Sequence, residues 1–147
     1  QGAFFPEAGV RIAEDTVTLL SPRMINSIVL PFMVRSMEAF GGGFVHFCGG
    51  HKFFFNLLCD CSLVRAIDLG NSELYDCEWL LRRCAETDTV LYSRLAAEEG
   101  ESWRAYVKRT GGLVKKTGAR VILRPMVFPE ARASCDEMLE LWRDLTA

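Results

Sequence analysis

The chain has no cluster of lysines and arginines, no long apolar run and no spaced cysteine framework, and each absence removes a class of function. Its 17 Lys and Arg are dispersed among 19 Asp and Glu, giving a formal net charge of -2. A nucleic-acid partner needs a concentrated basic footprint, so none is expected. The pair Lys115-Lys116 falls in an ordinary helical pattern and reads as a solvated face. The most apolar stretch, Ile25 to Val34, is short and contains Asn26, Ser27 and Pro31, so no membrane span is expected. No secretory leader is visible. The six cysteines are scattered through predicted helices and strands, which reads as reduced thiols and a cytoplasmic location. Repeats, low-complexity tracts and interdomain linkers are missing as well. What is present is a composition that is 50% hydrophobic and 24% charged, enough to bury a core within one domain spanning residues 1–147. The first residue is Gln1 rather than Met, from which a fragment, with a missing N-terminal half, or a processed chain is expected.

The remaining signals alternate between strand and helix. Val10–Glu14 reads as a short strand. Ser21-Pro22 is a helix start, a Ser cap followed by Pro at the first helical position. That helix carries Ile25, Ile28, Val29, Phe32 and Phe40; Pro31 is expected to bend it, and Gly41-Gly42-Gly43 to end it. Phe44–Cys48 reads as the second strand, and Gly49-Gly50 turns into a helix holding Phe54, Leu57 and Leu58. Val64–Leu69 is apolar enough for a strand buried on both faces. Asp76 is placed to cap the next helix, Thr89–Leu95 reads as the fourth strand, and Ser102 opens an amphipathic helix closed by Gly118. Arg120–Arg124 is the last strand. Ser134-Cys135-Asp136-Glu137 has the form of a capping box for the final helix. About five βα units in succession imply a parallel sheet with right-handed crossovers. Two closures remain open: a self-sufficient doubly wound sheet, which the length favours, or part of an eight-stranded barrel, which usually needs about 250 residues.

His46-Phe47-Cys48 is the most informative triplet. Strand residues two apart share a face, so His46 and Cys48 project together while Phe47 points away. They stand at the C-terminal end of their strand, where parallel α/β folds place ligands and catalysis. Imidazole and thiolate are both zinc ligands, and a catalytic site needs a third protein ligand; Cys135 and His51 are the candidates. The bland alternative is a hydrogen-bonded core histidine beside a small buried thiol, and the two residues alone favour it. Gly49-Gly50 before a helix is either an anion-facing turn or a plain tight turn. Cys59-Asp60-Cys61 has no second pair of matching spacing and reads as buried thiols; Cys77 and Cys84 share one helical face and read as core. Asp68 ends the third strand and Asp15 follows the first, positions suited either to catalysis or to capping the next loop. Arg124, at the end of the last strand, suits a substrate carboxylate or a neighbouring acid.

These residues also carry a resemblance. Val10-Arg-Ile-Ala-Glu-Asp-Thr, Leu20-Ser-Pro-Arg-Met and Leu30-Pro-Phe resemble a passage of the uroporphyrinogen decarboxylase-like superfamily running from an inner strand through an acidic loop to a Ser-Pro helix. Gly43-Phe-Val-His-Phe-Cys-Gly is similar to its His-x-Cys-Gly strand, Ala66-Ile-Asp-Leu-Gly-Asn to its next strand and Val121-Ile-Leu-Arg-Pro to its final one. The resemblance implies the C-terminal portion of a (β/α)8 barrel. It implies one of two activities, cofactor-free decarboxylation of porphyrinogen side chains or corrinoid-dependent methyl transfer to a zinc-activated thiol. The substrate would be a thiol, a methyl-corrinoid or a tetrapyrrole. His46 and Cys48 match the first two zinc ligands of the methyltransferases. Where their third ligand stands, this chain has Met126-Val127, and the histidine that the decarboxylases carry there is missing. The site expected is therefore His46, Cys48 and Cys135 around a metal, with Asp68 and Asp15 as catalytic carboxylates. The alternative is a non-catalytic partial barrel, an interaction module completed by homo-oligomerisation or by a separate N-terminal chain. A compact flavodoxin-like binder ranks last, because no phosphate-binding glycine fingerprint follows the first strand.

Overall fold

Residues 9–147 are described by the computed structural model. The strands are β1 (Val10–Ala13), β2 (Gly43–Phe47), β3 (Val64–Leu69), β4 (Val90–Ser93) and β5 (Val121–Leu123). The helices are α1 (Pro22–Met24), α2 (Leu30–Glu38), α3 (Lys52–Asp60), α4 (Cys77–Glu86), α5 (Trp103–Thr117) and α6 (Ala133–Thr146). All four strand pairings are parallel, and the strands lie in the order β1-β2-β3-β4-β5.

That order separates the two architectures. A doubly wound sheet reverses its strand order at a switch point and covers both faces with helices. Here the order never reverses, and the buried core lies against one face. Val45, Phe47, Ile67, Leu69 and Leu91 are fully buried in one cluster with Met37 of α2, Phe54 and Leu58 of α3, and Leu80 and Leu81 of α4. The opposite face carries Phe44, His46, Tyr92 and Ile122, all partly or largely exposed. This is consistent with consecutive βα units of a partial barrel, and among the described residues β1 and β5 are the edge strands. No helix among the described residues is long and apolar enough to cross a membrane.

Local chemistry explains the element ends. The Ser21 side chain accepts from Met24 N, Asp76 from Trp79 N and Ser102 from Ala105 N, so all three expected caps form. Gly118 closes α5 in the left-handed conformation at φ 70°. Gly111-Gly112 does not interrupt that helix. A side chain at Gly111 would press on Leu145 of α6, so its bareness lets α5 and α6 pack closely.

Two expectations need correction. Pro31 does not merely bend a continuous α-helix: a π-helical turn, Ile25–Val29, separates α1 from α2, with Leu30 N–H bonded back to Ile25 O. Proline lacks an N–H and its ring crowds the carbonyl four residues earlier, and a widened turn relieves both. The capping box at Ser134 does not form either. The final helix begins at Ala133 with Arg132 as its cap and no side-chain cap bond. Ser134 N and Cys135 N donate instead to Ala131 O and Arg132 O, so local carbonyls satisfy the donors a cap would have taken.

Candidate metal-binding site

The strand register assembles the site. Ala13, His46, Asp68, Tyr92 and Ile122 lie level across the sheet, one rung from its carboxyl edge. His46 emerges on the uncovered face and is held by Asp68 of the neighbouring strand. Its Nδ1 lies 3.0 Å from the Asp68 carbonyl oxygen and 3.1 Å from the carboxylate Oδ2. Both are acceptors, so Nδ1 carries the proton, and in the neutral ring Nε2 presents a lone pair. That lone pair faces Asp15 Oδ1 at 3.4 Å and Cys48 Sγ at 3.5 Å.

Asp15, His46 and Cys48 are the described residues that group as potential metal ligands, their ligating atoms all within 4.8 Å of one another. The two spacings from His46 suit zinc. With Zn–N and Zn–O near ~2.0–2.2 Å and Zn–S near ~2.3 Å, tetrahedral ligands stand roughly 3.3–3.6 Å apart. The Nε2–Oδ1 and Nε2–Sγ distances of 3.4 and 3.5 Å fall in that interval. The backbone prepares the same geometry. Asp15 Oδ1 accepts from Cys48 N at 3.0 Å, and Asn71 Oδ1 accepts from Gly49 N at 2.9 Å, which holds the turn at Gly49 with its φ of 89°. Gly70 makes room for the thiol: a Cβ there would lie 2.4 Å from Cys48 Sγ.

Asp68 is buried beneath this cluster and serves three partners. Besides His46 it accepts from Arg124 Nη2 at 3.1 Å and from Arg11 Nη2 at 3.5 Å. Arg124 in turn stacks over the Tyr92 ring at 4.4 Å. The Cys48 thiol is pushed above the ordinary cysteine value, first by burial, then by its hydrogen bond to Asp15 and the charges of Asp15 and Asp68; Arg124 opposes this weakly. Free of a cation, the thiol keeps its proton at neutral pH.

The other sequence candidates lie elsewhere. Cys135 is exposed on α6 and is not part of the cluster; the third potential ligand grouped with His46 and Cys48 is Asp15. His51 is also unsuited to be that donor. Its Nδ1 accepts from Phe54 N at 3.1 Å as the cap of α3, and its Nε2 lies 3.2 Å from Leu20 O. Two amides of the Gly49-Gly50 turn are already engaged, Gly49 N by Asn71 and His51 N by the Tyr75 hydroxyl at 2.7 Å. Cys59 and Cys84 are buried and hydrogen-bonded to each other, and that bond, with burial second, raises the Cys84 thiol and keeps its proton in place. All six cysteines are free thiols. Sequence reading passed over Arg11 and Asn71. Strand parity was a signal for Arg11, two residues before Ala13 on the same face; Asn71 had none.

Compared with known proteins, the chain matches no family model, no curated protein and no solved structure. Fold and site together define an α/β protein of barrel-like strand order with a His–Cys–Asp cluster at the carboxyl edge of its sheet.

Proposed function

We propose that Asp15, His46 and Cys48 hold a zinc ion, and that the chain serves corrinoid-dependent methyl transfer to a thiol within the uroporphyrinogen decarboxylase-like superfamily. The observation that carries this reading is the direction of the His46 Nε2 lone pair, set by Asp68 and aimed between a thiol and a carboxylate. Zinc bound there would leave a fourth position for a thiol substrate and hold it deprotonated at neutral pH. Asp68 acts in this reading as the positioning carboxylate behind the histidine, the usual outer partner of a metal-bound imidazole. Arg11 and Arg124 hold the Asp68 carboxylate in place. Asp15, half exposed at 57% of its side chain, closes the donor set on the solvent side. Porphyrinogen decarboxylation has less support, because it gives the paired thiol and imidazole no task.

Metal analysis of the purified chain, after dialysis against trace zinc, tests the proposal. About one zinc per chain is expected, lost in His46→Ala and Cys48→Ser and kept in Cys135→Ser. Zinc-loaded protein is expected to methylate a small thiol from methylcobalamin. A chain that retains no zinc, or retains it in Cys48→Ser, would remove this function.

A second reading has its own observation. Among the described residues one sheet face is uncovered and β1 and β5 are unpaired on their outer sides, which suits completion by a second copy or a separate chain. Light scattering across a concentration series decides it: a monomer throughout rules out completion by a second copy.

A further inference from the structure

Beyond the cluster, past the end of β5, lies a groove of about 580 Å³ lined by Arg94, Leu123, Arg124, Pro125, Met126 and Phe128. Its walls combine two guanidinium groups with an apolar surface, and both Met126 and Phe128 are largely exposed. Arg94 is exposed and has no ion-pair partner among the described residues. Arg124 gives one donor to Asp68, while its Nε is buried with no acceptor among the described residues. A guanidinium offers five donors in a planar fork suited to a carboxylate. Asp68 is bonded to Arg124 and shared with Arg11, and no acid among the described residues pairs with Arg94, so the groove keeps an excess of positive charge.

We propose that this groove binds an organic anion with an apolar body, its carboxylate on Arg124 and Arg94 and its body against Leu123, Pro125, Met126 and Phe128. An acceptor oxygen entering from the groove engages donors of the Arg124 fork that the fold leaves unused, and the exposed Phe128 ring gains a cover. The chemistry selects for charge and for an apolar or aromatic body together. Neither a free inorganic anion nor a neutral aromatic satisfies both walls.

The test uses the 147-residue chain in EDTA, so that its outcome is independent of zinc. Benzoate is titrated by calorimetry or by NMR of the chain, with benzyl alcohol as the neutral counterpart and sulfate as the non-apolar one. Benzoate is expected to bind at least about tenfold more tightly than either, the effect of one charge-assisted hydrogen bond. A similar loss is expected in Arg124→Gln and in Arg94→Gln. Should Arg124→Gln unfold, Arg94→Gln decides, because the Arg94 side chain is exposed and the carbonyl that accepts from Ser72 Oγ is untouched by the substitution. Equal binding of benzoate and benzyl alcohol, or unchanged benzoate affinity in Arg94→Gln, overturns the proposal.

Discussion

The two faces of the sheet divide the labour of the molecule. On one, Val45, Phe47, Ile67, Leu69 and Leu91 are sealed under helices. On the other, His46, Asp68 and Tyr92 stand at the same level of the same strands and form a polar, partly solvated array. Alternation along a strand is thus the device that lets one five-residue segment, Gly43–Phe47, supply both a core aromatic and a site imidazole. The lesson is that stability and chemistry can be perturbed separately here, residue by residue.

The sharpest way to break that division is Phe47→Ala. Phe47 is fully buried and meets Phe54 edge-on at 5.2 Å. Truncation is expected to remove about 3–5 kcal/mol of stability, read by chemical denaturation. A loss below about 1 kcal/mol would mean that the packed face is not the source of stability. Next in size is Asp68→Asn. An amide in place of the carboxylate weakens the hold on His46, and zinc affinity is expected to fall about 10- to 100-fold in a competition titration with a chelator. Unchanged affinity would remove Asp68 from the site.

A third experiment concerns the Cys48 thiol. Because burial and Asp15 raise its pKa, little thiolate exists near neutrality, and metal-free Cys48 is expected to react slowly with a thiol reagent in a Cys135→Ser background. Asp15→Asn removes a hydrogen bond and a negative charge that favour the protonated form, so the onset of reactivity moves to lower pH. A rate profile that is unmoved, or shifted upward, contradicts the arrangement. The smallest effect is expected for Ile122→Thr. Ile122 is 42% exposed on the open face, and its replacement should change stability by less than about 0.5 kcal/mol. A large loss would mean that something covers that face in solution.

Much of this was readable before any coordinates. β3 was placed at Val64–Leu69 because an apolar run bounded by turn residues has few other homes, and the caps at Ser21, Asp76 and Ser102 followed from side chains that act within three residues. The pairing of His46 with Cys48 needed only strand parity. Partners distant in sequence were harder to see. Asp15 was a candidate because it follows a strand, but its closeness to Cys48 depends on the β1–β2 register. Cys135 was favoured for its chemistry, and chemistry does not say where a helix faces. The failed cap at Ser134 has a similar cause: the helix starts one residue before it, and the Glu137 carboxylate that would complete the box pairs with the distant Arg104.

Gly70 has a consequence for how such a sequence can vary. The sulfur of Cys48 occupies the volume where a methyl group on residue 70 would sit. An alanine at 70 is therefore open only to a chain that has first given up, or turned aside, its sulfur at 48. Substitutions at the two positions, one on each of two adjacent strand ends, should be inherited together.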